Sequence, residues 1–335
     1  MSQFLYVSFV FIAIVSASKG DRPLFNATVS KDKPGAYRTI TEALDVAPKN
    51  LNVKYVIHVE AGVYVERVVV PKYLTNIVLV GDGAVNTFVR FNRHAPTFDD
   101  MGSATIVVEG DGFVAKFITF ENTAGQGFPA PASGTTASNV AYYRCIFKGY
   151  QDTLYAKKGT QFYRECDIYG TVDFIFGRAA AVFQGCNLYA RVPRTITFTA
   201  QNKIQARGIS GFVIQNCNLT VAPGLESQRA RFQGFLGRPW SNLSTVIIME
   251  SYLDTIIQPD GWQEWPPRGT DSVTYLEFNN RGPGASTEKR VRWAGYRDVT
   301  GHPEMVRRFT VGEFINTGDW IGKAGIPHSD GFIYV

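Results

Sequence analysis

The chain has 335 residues, of which 45% are hydrophobic and 13% aromatic, enough to bury a substantial core. Its net charge of +5 is scattered without a basic run, which excludes a nucleic-acid footprint and leaves a mild preference for polyanions. Four cysteines at spacings that match no zinc pattern exclude both a disulfide scaffold and a structural zinc site.

The first residues, MSQFLYVSFVFIAIVSASKG, carry an apolar run from Phe4 to Val15 followed by small residues. That pattern predicts a secretory leader over residues 1–18 and a mature domain over 19–335. No later stretch reaches the roughly 20 apolar residues of a membrane span, so no membrane association is expected. The sequons at Asn26, Asn218 and Asn242 agree with export. Next, YRTITEALDVAP places Ile40, Ala43, Leu44 and Ala47 at helical spacing, ended by Pro48.

From residue 112 the chain repeats itself. GFVAKFITF at 112, AYYRCIF at 141, FYRECDI at 162, VFQGCNL at 182 and VIQNCNL at 213 share one frame, with Ile118 standing where the later copies have Cys145, Cys166, Cys186 and Cys217. Short β-rich segments recurring every 20 to 30 residues without helical periodicity between them predict an all-β solenoid, a right-handed parallel β-helix, with the helix at 40–47 capping its open end. Equivalent residues of neighbouring coils then lie about 4.8 Å apart. The cysteines form an internal ladder of small core residues, or Cys166 and Cys186 are bridged; the spacing allows both.

Two repeats carry more than core. In CIFKGYQDTLY and CDIYGTVDFIF, Gly149 matches Gly170, Asp152 matches Asp173, and Tyr155 matches Phe176. Stacking puts the two aspartates side by side, where like charges cannot both ionise, so one is expected to hold a proton beside an ionised partner. Such a pair supplies an acid together with a nucleophile or base. The plain alternative is two turn aspartates, each satisfied by backbone N–H groups.

GYQDTLY and GTVDFIFG resemble the signatures of the pectin methylesterases, carbohydrate esterases with a single-stranded, pectin-lyase-like β-helix. GVYVE at 62, FITFENTAG at 117, LGRPW at 236 and PDGWQEW at 259 follow in the family's order. The resemblance implies hydrolysis of the methyl esters of homogalacturonan without a cofactor or metal, outside the cell at the plant wall. It implies a monomer whose partners are pectin and proteinaceous pectinesterase inhibitors, lacking an inhibitor-like pro-region. By that resemblance Asp173 is the nucleophile, Asp152 the general acid and then base, Gln151 an oxyanion donor, and Arg238 the partner of the nucleophile. Tyr155, Phe176, Trp240 and Trp262 line the sugar cleft, while Gly62, Glu66 and Pro71 are structural.

One segment departs from the pattern. Where the family carries QAVAL with a second oxyanion glutamine, this chain has Pro129-Ala130-Pro131, and proline cannot donate a ladder hydrogen bond. A displaced Gln126, or a weakened enzyme that still binds pectin, is the expectation attached to that change. Lyases and polygalacturonases share the fold, but they use other constellations of charged residues.

Overall fold

The computed structural model describes residues 25–95, 97 and 99–333; the expected leader lies outside them. Every strand pairing is parallel. Three sheets of eleven, eight and seven strands take successive strands of each coil in turn, so the chain winds from sheet to sheet and returns one rung higher. The coil is a right-handed parallel β-helix, the hand that nearly all parallel crossovers adopt.

The repeat read from the sequence is the register of the coils. Ile146 pairs with Asp167, Asp167 with Asn187, and Asn187 with Asn218, so the residues just before them, Cys145, Cys166, Cys186 and Cys217, form one column. Thr119 pairs with Ile146, which places Ile118 beneath Cys145. All four cysteines are free and buried, so the column is a ladder of core residues and Cys166 is not bridged to Cys186. Beside it run stacked rings: Tyr142 and Tyr163 have centroids 5.1 Å apart, and Tyr163 and Phe183 4.4 Å apart.

Immediately before the column the backbone turns through a left-handed residue in coil after coil. Phe117, Arg144, Glu165, Asn216 and Glu250 have φ of 60°, 50°, 51°, 50° and 54°. A left-handed residue between two strands sends the chain from the long sheet into the eight-stranded one without breaking the ladder.

The open end is closed by the helix Ile40–Asp45, which buries Ile40, Ala43 and Leu44 against the first coil. Thr39 caps it, and Glu66 of the GVYVE motif accepts the backbone N–H groups of Ile40 and Thr41 at 2.8 and 2.9 Å. Glu66 is therefore structural, as expected. The short helices Pro303–Val306, Val311–Phe314 and Trp320–Lys323 cover the outer face of the long sheet through Val306, Phe314 and Ile321.

In the last coils one ion pair is sealed inside. Arg290 and Glu277 are each 2% exposed and joined at 2.8 Å, and Arg290 also donates to the carbonyl of Gly284 at 2.7 Å. Removing one partner of a buried pair leaves the other charge desolvated, at a cost of about 3 to 5 kcal/mol. Arg290→Met is therefore expected to lower the thermal unfolding midpoint strongly, and adding Glu277→Gln to it should recover much of the loss. An unchanged midpoint in the single variant would contradict this account.

Candidate active site

Asp152 and Asp173 occupy the corner where the chain passes from the eight-stranded to the seven-stranded sheet. Leu154 pairs with Ile175 and Tyr155 with Phe176, so the two aspartates, each two residues upstream, share a position on adjacent coils. The Asp152 N–H donates to Val172 O at 3.1 Å across that step. The matched glycines are explained by the tightness of the corner. A Cβ on Gly149 would lie 2.7 Å from Thr153 Oγ1, and one on Gly170 would lie 2.1 Å from Phe174 Cβ. Both aspartates are held in the left-handed region, at φ of 62° and 51°, a conformation that costs energy in any residue but glycine.

The two carboxyls have different surroundings. Asp173 is 5% exposed and receives two hydrogen bonds from Arg238, from Nε at 2.8 Å and Nη2 at 2.6 Å. Burial raises its pKa, and the arginine opposes that rise. Asp152 has no such partner: its Oδ1 is buried and accepts no hydrogen bond. Burial first, and then the charges of Asp173 and Asp100, push its pKa well above the ordinary carboxylate range, with only Arg238 and the neighbouring Gln151 amide opposing. Neither aspartate is satisfied as a simple turn residue. The corner holds its first proton on Asp152 and its negative charge on Asp173.

Arg238 is positioned by the strand Arg238–Pro239, which pairs with Thr199–Gln201 and so lies two rungs beyond the strand Ile175–Gly177 that follows Asp173. Its guanidinium lies 3.9 Å from the centre of the Trp265 ring. Along the same sheet Tyr155 and Phe176 stack at 4.2 Å with rings 10° apart, Trp240 lies 6.1 Å from Phe176, and Trp265 lies 6.5 Å from Trp240. Tyr155, Trp240 and Trp265 are half-buried and Phe176 is 3% exposed, so Phe176 serves mainly as backing for its neighbours.

Trp262 does not belong to this strip. It is 1% exposed, packs on Tyr275 at 4.4 Å, and donates its indole N–H to Glu277 at 3.2 Å, within the sealed ion pair. The surface aromatic of the PDGWQEW motif is Trp265. The three-residue offset between the two tryptophans is the signal in the sequence, because an odd separation in extended chain points side chains to opposite faces. Asp100, in the short helix Asp100–Ser103 capped by Asp99, is a second contributor not visible from the motifs.

The proline segment keeps its place in the coil. Pro129 and Pro131 use their carbonyls, accepting from the N–H groups of Ala95 at 2.9 Å and Thr105 at 3.1 Å. Ala130 and Ala132 supply the N–H groups, to Gln151 O at 3.2 Å and Thr153 O at 2.8 Å, and the strand Ser133–Thr135 follows normally. The prolines therefore sit where the ladder asks for no donor, and the coil runs on unbroken into Ser133–Thr135. The segment brings no side-chain donor to the aspartates, and the Gln126 amide donates to Val192 O at 3.1 Å instead.

Residues 26–319 match the family model described as Pectinesterase. Over 326 residues the chain is 42% identical to Pectinesterase 2 of Citrus sinensis, covering 93% of this chain and 63% of that one. It is 42% identical over 315 residues to Probable pectinesterase/pectinesterase inhibitor 12 of Arabidopsis thaliana, covering 92% and 57%. The chain thus spans only about three-fifths of the length of these relatives. Among solved structures, pectin methylesterase from carrot superposes with a TM-score of 0.90 at 37% identity, covering 94% of this chain and 100% of that one. The Aspergillus niger enzyme gives 0.77 at 31% identity, covering 91% and 99%. With the family model matched along nearly the whole described coil, the chain belongs to the pectinesterase family.

Proposed function

We propose that the protein hydrolyses methyl esters of galacturonate units in homogalacturonan, releasing methanol and leaving de-esterified pectin. One observation carries this reading: a buried carboxylate held by two arginine hydrogen bonds beside a second carboxyl with an unpartnered buried oxygen. An ester is attacked by the first and its alcohol protonated by the second.

Ionised Asp173 adds to the ester carbonyl carbon. As the tetrahedral intermediate collapses, Asp152 gives its proton to the departing methanol, and an acyl-enzyme anhydride remains on Asp173. Asp152, now a carboxylate, takes a proton from water as that water attacks the acyl carbon. Asp173 leaves as a carboxylate, and the dyad returns to its starting protonation with a free galacturonic acid as product. The Gln151 amide, on the same turn as Asp152, supplies a hydrogen bond to the developing oxyanion. Tyr155 and Trp240 offer ring faces to the sugars on either side.

The proposed setting follows from the family. The names of several relatives join pectinesterase to pectinesterase inhibitor, which supports inhibitor proteins as partners of an enzyme acting alone on wall pectin. The leader at 1–18, and sequons whose Asn26, Asn218 and Asn242 side chains are exposed, support export to the cell wall as a glycoprotein.

Asp173→Asn keeps the size of the side chain and removes the nucleophile. Methanol release from highly methylated pectin is expected to fall to background while the unfolding midpoint stays near wild type; undiminished hydrolysis would remove Asp173 from this role. Arg238→Gln tests the pairing. Without the cation the Asp173 carboxylate is less favoured, its pKa rises, and the acidic limb of the rate profile should move to higher pH, with partial return in Arg238→Lys. A lowered rate with an unmoved limb would mean that the arginine does not govern Asp173 ionisation.

A further inference from the structure

Where the chain leaves the eight-stranded sheet, the ladder follows one rule on several coils. Continuing the register one residue past the paired strands sets Thr123 against Asn92, Arg191 against Thr171 and Ala222 against Arg191. In each case the later residue donates its N–H to the carbonyl just before its partner: Thr123 to Phe91 O at 2.7 Å, Arg191 to Gly170 O at 2.9 Å and Ala222 to Ala190 O at 2.9 Å. The coil that carries Gln151 and Asp152 departs from this rule. Thr171 stands against Tyr150, two residues past the paired strands, yet its N–H donates at 2.9 Å to Tyr150 O itself. The carbonyl passed over is Gly149 O, and a side chain takes the missing place: Arg191 Nη1 donates to it at 2.7 Å. The same guanidinium lies 3.8 Å from the centre of the Tyr150 ring and donates through Nη2 to the Tyr150 hydroxyl at 2.9 Å.

One residue thus fastens both aspartate turns. The Arg191 backbone holds Gly170, three residues before Asp173, and its side chain reaches one coil further to Gly149, three residues before Asp152. The hold matters because both aspartates are in the left-handed region, a conformation that persists only where the surroundings fix it. The charges that bear most on Asp152 are those of Asp173, Asp100 and Arg238, so Arg191 acts on it through the backbone rather than through its field.

We propose that Arg191 is a positioning residue for the ester chemistry: it sets the spacing of the two aspartate turns, and with it the placing of Gln151 and Asp152 against Asp173. It works through the turns and touches no reacting atom. The catalytic consequence rests on the proposed function; the spacing of the turns does not.

The test compares the full chain with two variants. Arg191→Met keeps an apolar stem over Tyr150 and removes the donors, while Arg191→Lys keeps one cationic donor without the planar fork. Methanol release from highly methylated pectin, the unfolding midpoint and the carboxyl-carbon titration of Asp152 are measured on each. In Arg191→Met, kcat is expected to fall about tenfold or more with KM within about twofold of wild type, since a misplacement of about 1 Å costs on the order of 10²-fold. Arg191→Lys should recover part of that loss. The titration separates position from charge. Loss of a cation alone would raise the Asp152 pKa, whereas a loosened turn admits water and draws Asp152 away from Asp173, so its step should move down toward the ordinary carboxylate range. Unchanged kcat in folded Arg191→Met, or an Asp152 step that stays in place or moves up, would overturn the proposal. If wild type releases no methanol, the esterase reading fails, while a downward step in Arg191→Met still sustains the spacing role.

Discussion

The charge on Arg238 separates two carboxyls that the coil would otherwise make equivalent. Stacked one strand spacing apart, two ionised aspartates would repel by about 3 kcal/mol at an effective dielectric near 20. The repulsion alone says that one must hold a proton, but not which. Arg238 decides it by closing both hydrogen bonds on Asp173, leaving Asp152 with a buried oxygen that nothing satisfies. An unpartnered buried acceptor is costly in a folded protein unless it carries a proton or awaits a ligand. Here both descriptions apply at different points of the proposed cycle.

That arrangement needs support, because the arginine comes from a later coil than the aspartates. Its strand contributes only Arg238–Pro239 to the sheet, a weak anchor by itself. The flanking Leu236 and Gly237 are tied to the segment around Trp262 through Leu236 N–H to Gly261 O at 2.7 Å and Gln263 N–H to Gly237 O at 3.0 Å. Trp262 in turn is fastened to the Glu277–Arg290 pair. The buried ion pair is thus linked through Trp262 to the segment that carries Arg238, and Trp265 covers the same guanidinium. A rigid backing of this kind keeps a charged group preorganised, so little reorganisation is needed as charge moves.

Much of this was legible in the sequence because a β-helix converts sequence period directly into spatial stacking. The cysteine frame gave the register from Ile118 to Cys217, and the shared offset of Asp152 and Asp173 put both on one corner. What escaped was set by contacts between coils rather than by period. The left-handed turns fall on Phe117, Arg144, Glu165 and Glu250, residue types that carry no turn signal, because the corner geometry imposes the conformation. Trp262 and Trp265 lie in one motif, and only the direction of the local backbone tells core from surface. Pro129 and Pro131 cannot donate ladder hydrogen bonds, yet in a parallel ladder alternate residues need no N–H toward a given neighbour, and here Ala130 and Ala132 supply the donors. Asp100 acts through proximity across a loop, which no motif records.

The central claim is that the dyad's proton resides on Asp152 and its charge on Asp173, and carboxyl-carbon NMR of selectively labelled aspartates tests it most directly. With pH raised from acid, the Asp173 signal should move first, and Asp152 should titrate in a separate step well above the ordinary carboxylate range. Arg238→Gln should bring the two steps closer together. If Asp152 instead loses its proton first, or both carboxyls titrate together at ordinary values, the assignment of acid and nucleophile derived from the arginine's position is wrong.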